Sequence, residues 1–183
     1  MSIVRQYQTY YGIHLYHWTE NWGSNSYNKF LSKEIADTDS KTCGSTDADS
    51  SITFLYPLLT QNEYYIDGVA EGVFNIYNSG ASGTLLTDFT VSLLKISNSG
   101  VSTELASHQE VLGTLQLIDA SDYCSYTFKL LISKQLVSEN EKIALKLSIT
   151  EGASGGDKLK FLHFNDSGED VWVKIPYVPS SGG

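Results

Sequence analysis

The residues able to do chemistry are few and scattered. His14 and His17 stand three apart beside Trp18. On a strand, side chains three residues apart point to opposite faces, so this pair cannot share a metal ion. His108 and His163 have no partner near them in sequence. Gly80-Ala81-Ser82-Gly83 approaches the nucleophile elbow Gly-x-Ser-x-Gly without its spacing and sits in a turn. No Walker loop, dinucleotide fingerprint or His-Glu-x-x-His is present. Asp166-Ser167-Gly168-Glu169-Asp170 groups oxygen ligands without the full spacing of a calcium loop and reads as a solvated acidic turn. Cys43 and Cys124 lack metal-ligand spacing and read as unpaired thiols. Asn165-Asp166-Ser167 fits a glycosylation sequon that has no secretory context. These readings predict no catalytic residue, no metal and no cofactor: the chain is expected not to be an enzyme.

Aromatic rings are the remaining chemistry. Tyr7, Tyr10, Tyr11, Tyr16, Trp18 and Trp22 crowd the first thirty residues, and Trp172 lies near the C-terminus. Such rings stack on sugars or anchor a neighbouring subunit. Val171, Val173 and Ile175 claim one strand face and leave Trp172 on the other. These seven residues are the expected interface.

The elements that must position them are strands. Tyr126, Phe128, Leu130 and Ile132 alternate with Thr127, Lys129, Leu131 and Ser133; Ile143, Leu145, Leu147 and Ile149 alternate with Lys142, Ala144, Lys146 and Ser148. This period of two marks sheets with one dry and one wetter face. Further strands are predicted at Ile52 to Leu59, with Pro57 suiting an edge, at Tyr64 to Val69, at Gly72 to Tyr77 and at Thr87 to Ile96. In the last of these, Leu94 and Ile96 break the phase of Val91 and Leu93, which predicts a bulge near Leu93. Asn98-Ser99-Gly100 turns the chain into a hairpin, Ala106 to Leu117 is ambiguous, and Asn28 to Ile35 suits a short helical turn. The expected fold is an all-β antiparallel sandwich of jelly-roll type with about eight strands and an N-terminal aromatic-rich arm or edge strands. Residues 1–50 are read as that arm with an acidic linker and residues 51–183 as the sandwich domain; edge strands of one domain are the alternative.

The 183 residues suffice for one sizeable core. The net charge of -9 repels phosphate backbones and anionic lipid, so neither nucleic acid nor membrane is an expected partner. The start, Met1 to Gln6, lacks the basic and apolar regions of a signal peptide, which predicts synthesis in a cytoplasm.

Leu136 to Leu147 resembles a recurring element of jelly-roll sandwiches, a polar acidic turn leading into an alternating strand. Phe161-Leu162-His163-Phe164 with Val171 to Pro176 resembles the closing strand pair, and Tyr64 to Tyr77 with Thr90 to Ile96 the earlier strands. Such sandwiches occur in virion proteins of tailed viruses and in carbohydrate-binding modules. The resemblance implies a non-enzymatic structural virion protein, a capsid-surface, decoration or tail-associated jelly roll. It would act through protein-protein assembly with other virion proteins and with itself, located in the virion after synthesis in a host cytoplasm. A carbohydrate-binding or receptor-binding sandwich, with a glycan as partner, is the alternative.

Overall fold

The structure is a computed structural model; it describes residues 6–11, 13–31, 42–46, 51–56, 62–78, 87–112, 123–149, 159–162 and 172–180. Among these, twelve strands form two sheets. They are β1 (Gln6–Tyr11), β2 (Ile13–Trp22), β3 (Asn25–Leu31), β4 (Thr42–Thr46), β5 (Ser51–Leu55), β6 (Tyr64–Asn78), β7 (Thr87–Ile96), β8 (Ser102–Leu112), β9 (Tyr123–Val137), β10 (Lys142–Ile149), β11 (Leu159–Leu162) and β12 (Trp172–Pro179). In the first sheet β6 is flanked by β9 on one side and by β12 and β11 in succession on the other, with β1 beyond β12 and β4 beyond β11. The second sheet runs β2-β3-β5-β10-β7-β8. All pairings are antiparallel except the single parallel pair Phe30–Leu55 between β3 and β5.

The alternation of β9 and β10 fixes the core between the sheets. Phe128, Leu130 and Ile132 point inward from β9 and meet Ile143, Leu145 and Leu147 from β10, with Phe54, Val91, Leu93, Val173 and Ile175 around them. Thr127, Lys129, Leu131 and Ser133 face outward and are exposed. Leu147 lies in register between Ile52 and Val91 and is 1% exposed. Leu147→Ala should therefore cost on the order of 2–5 kcal/mol in denaturant melts, through lost burial and the cavity left behind. A cost within about 0.5 kcal/mol, the surface range, would contradict this placement.

The first half of the β10 face expected to be wetter is dry. Lys142 is 3% exposed and Ala144 is fully buried, because a second core lies on the outer face of the second sheet. Leu55, Ala144 and Leu94 sit side by side there, next to Ile96, and Trp22 packs over them. This also explains the phase break in β7: Val91 and Leu93 belong to the inner core, while Leu94 and Ile96 belong to the outer one. A bulge does occur between Leu93 and Leu94, with Leu105 as the extra residue on β8.

The first fifty residues contribute strands to both sheets. β1 lies along β12, β4 along β11, and β3 joins β5. The β2–β3 hairpin turns at Gly23-Ser24, with glycine (φ 62) at the first central position as a type II′ turn needs. Its tip rests on the β7–β8 turn. A Cβ on Gly23 would come within 2.2 Å of the Gly100 nitrogen, so only glycine permits this approach. Trp22 Nε1 donates to the Ile96 carbonyl at 3.1 Å. At the Asn98-Ser99-Gly100 turn, Gly100 has φ 84 and its N–H donates to the Ser97 carbonyl at 2.9 Å.

Three readings of the sequence differ from the structure. Tyr64 to Tyr77 is one strand rather than two; it pairs with β9 through Ala70 and Glu71 and accommodates its irregularity near Gly68 (φ 125) instead. Asn28 to Leu31 belongs to β3, not to a helical turn, because β2 supplies an antiparallel partner that a lone segment lacks. Thr42 to Thr46, within the acidic linker, forms β4. The turns at 79–86 and 163–171, with His163 and the Asp166–Asp170 cluster, lie outside the described residues.

Candidate functional site

At one end of the sandwich five elements converge on a polar corner. Lys95 shares the inward face of Val91 and Leu93, so its side chain points between the sheets. Its Nζ donates to the Leu136 carbonyl at 2.9 Å and pairs with Glu141 Oε2 at 3.3 Å. The same carboxylate oxygen accepts the Ser138 N–H at 2.8 Å, while the Glu141 N–H returns to the Ser138 carbonyl at 3.2 Å. Asn140 takes the left-handed φ of 67 that this turn requires, which asparagine tolerates better than most residues. The β9–β10 turn is thus stitched to the end of β7.

Tyrosines complete the corner. Tyr64 opens β6 in register with Val137 and Pro179, and its ring meets Tyr177 edge-on at 6.2 Å. Tyr56 follows β5, with its N–H on the Ile143 carbonyl at 2.8 Å. Burial, then the neighbouring Tyr56 and Glu141, push the Tyr64 hydroxyl well above the ordinary tyrosine value. The group stays protonated, so it can donate a hydrogen bond to a carbonyl or an anion and does not serve as a base.

A pH dependence follows. Above about pH 10 the unfolded chain releases the Tyr64 proton while the folded chain keeps it, so the unfolded state binds fewer protons and stability falls. The native protein should lose up to about 1.4 kcal/mol per pH unit from this one group above that value. Tyr64→Phe should remove that increment, seen as a shallower alkaline decline in denaturant midpoints than the native protein shows. Parallel declines in the two proteins would refute the assignment.

The residues singled out from sequence fall elsewhere. Tyr7, Tyr10 and Tyr11 lie on β1 opposite Pro176, Val173 and Trp172 in backbone register; Tyr16 and Trp18 lie on β2 where its pairing with β3 shifts. The side chains of these five, and of Cys43 and Cys124, lie outside the described residues. Trp22 covers the outer core of the second sheet, with Lys142 Nζ 4.6 Å from its ring centre. Trp172 is half-buried on the outer face of the first sheet, next to Val73. By backbone position Tyr7, Tyr10, Tyr11 and Trp172 belong to the first sheet and Tyr16, Trp18 and Trp22 to the second. Among the described residues, no group of three or more His, Cys, Asp or Glu could hold a metal ion.

The corner was missed in the sequence because its members are remote from one another: Lys95 hides in a leucine-rich strand and Tyr64 in a tyrosine pair. The acidic turn Ser138-Glu139-Asn140-Glu141 was the one visible signal.

No family model matches the chain, and no curated protein matches it in sequence. Solved structures do share its fold. An aminopeptidase from a marine sediment Thaumarchaeota archaeon superposes with a TM-score of 0.68 at 8% identity, over 95% of this chain and 37% of that one. A CocE/NonD family hydrolase from Staphylococcus aureus gives 0.64 at 12% identity, over 95% and 36%. An α-amino acid ester hydrolase gives 0.52 at 10% identity, over 69% and 25%. The chain therefore spans between a quarter and little more than a third of the length of these hydrolases. At such identities the likeness shows the fold alone.

These neighbours correct the functional expectation. The non-enzymatic virion protein acting by assembly rests on passing from strand pattern to virion architecture, its glycan-binding alternative on that pattern and the aromatic rings, and the exclusion of enzymes on the absence of catalytic motifs. An aminopeptidase and a CocE/NonD family hydrolase carry this fold along 95% of the chain, so that passage fails. The physical reason is that alternating strands encode a sandwich whatever site is grafted onto it.

Proposed function

We propose that this chain is the sandwich component of a hydrolase that acts at the carbonyl of amino-acid derivatives. The observation that carries the reading is the superposition of nearly the whole chain on two hydrolases, each of which continues well beyond the shared region. An aminopeptidase and an α-amino acid ester hydrolase both open a bond at the carbonyl carbon of an amino acid, one an amide and the other an ester. That shared chemistry defines the substrate class.

The winding supports a jelly roll as the finer description. Strands β4 to β11 fall in the orders β4-β11-β6-β9 and β5-β10-β7-β8, two four-stranded sheets joined by repeated crossings between them. A rigid sandwich of this kind positions a reaction site built largely by other parts of the enzyme, and the protonated Tyr64 is the donor it offers at its polar corner.

The test is depletion. An antibody against the chain should remove hydrolysis of an aminoacyl 4-nitroanilide or an amino-acid methyl ester from an extract of the source cells, and the purified antigen complex should carry that activity. Full activity in the depleted extract, with none on the antibody, would overturn the reading.

A further inference from the structure

The two sandwich faces are treated differently by the chain. The outer face of the second sheet is closed by Trp22 and the tip of the β2–β3 hairpin. On the outer face of the first sheet, the described residues of β6, β9 and β12 leave apolar surface in solvent. Leu131 is 79% exposed and lies in register beside Val69, itself 38% exposed. Two rows away, half-buried Trp172 and Val73 stand side by side. Between them runs a charged row in which Glu71 lies between Lys174 and Lys129, with Lys174 Nζ 4.0 Å from its carboxylate.

Counted over its described side chains, the charge of this face opposes that of the whole. The chain carries 21 acidic and 12 basic residues. Here Lys129, Lys134 and Lys174 outnumber Asp67 and Glu71, and Lys134 folds over the Tyr65 ring at 4.2 Å. Two apolar pairs with this charged row between them suit a partner whose contact surface is apolar opposite the pairs and carries carboxylates opposite the lysines.

The edge of the same sheet does not suit docking. Between Ile132 and Gln135, β9 holds one more residue than β6 does between Gly68 and Ile66. That bulge bends the strand beside Lys129 and Lys134, and bulges and lysines are the devices that keep edges from pairing.

We propose that the Leu131–Val69–Trp172 face is the surface on which the catalytic body of the hydrolase docks. This rests on the hydrolase reading, in which the solved neighbours continue far beyond the region shared with this chain. Leu131 is the central contact, and Lys129 and Lys174 face carboxylates of the partner.

The experiment expresses tagged full-length chain in the source cells and measures the aminoacyl 4-nitroanilide hydrolysis that purifies with it. Leu131→Glu should lower the co-purified activity by about tenfold or more, the loss expected of a central interface contact. Leu131→Lys should lose less, because the partner carboxylates that face the neighbouring Lys129 tolerate a second cation. Glu104→Arg, an exposed change on β8 in the other sheet, should retain native activity. Unchanged thermal melts of all three variants show that the fold is intact, as expected for exposed sites. Equal activity on the native chain and on Leu131→Glu would overturn the docking face while leaving the hydrolase reading standing. An equal or larger loss with Leu131→Lys would overturn the facing carboxylates. No activity on the native chain would overturn the hydrolase reading itself.

Discussion

Removal of residues 1–31 will abolish cooperative unfolding rather than release a stable sandwich. The segment carries Leu31, which is 1% exposed in the inner core, and Trp22, which covers the outer core. Its loss would bare Leu55, Ile96 and Ala144, all now fully buried, together with Leu94. It would also strip β12 of its partner β1 and leave β5 without β3. Apolar burial contributes roughly 25 cal/mol per Å², so exposing several large side chains forfeits an amount comparable to the whole stability of a domain, about 5–15 kcal/mol. Calorimetry of the truncated chain should show no sharp transition, and its circular dichroism should lose the cooperative melt. If residues 1–31 were instead an arm serving assembly, the truncated protein would melt as sharply as the native one.

The second large effect lies at Phe128. It is among the largest fully buried side chains, and its ring fills the space above Gly72, where an added Cβ would lie 2.7 Å from the ring. Phe128→Ala should cost about 3–5 kcal/mol. Gly72→Ala should cost about 1–3 kcal/mol by overpacking. Combining them should recover little, because the added Cβ would also lie 2.5 Å from the Trp172 carbonyl, and that backbone is pinned by pairing of β12 with β6. A double mutant as stable as Phe128→Ala alone would show that the ring, and not the β12 backbone, makes glycine necessary at 72. Both effects are read from urea midpoints at constant slope.

Much of the sandwich was legible because one sheet face is dry and the other wet. The inward set Phe128, Leu130, Ile132, Ile143, Leu145 and Leu147 follows directly from alternation. The turn at Gly100 follows from glycine's access to positive φ. Alternation fails where a strand is covered on both faces. Leu94, Ile96 and Ala144 look like errors of phase until the β2–β3 hairpin is folded over them, and nothing local in β7 or β10 announces that cover. The corner was illegible for a related reason. Tyr64, Lys95 and Glu141 are brought together by sheet order, and sheet order depends on pairings tens of residues apart. Function was less legible still, since periodicity reports burial and a sandwich hosts many activities.

The most direct test of the hydrolase reading is fractionation of a native extract by size exclusion, with each fraction probed for this chain and for amino-acid ester and aminoacyl 4-nitroanilide hydrolysis. The account predicts that the chain elutes well above its own mass of 20.2 kDa and that the activity profile follows it. Fractions that contain the chain and hydrolyse neither substrate would contradict it.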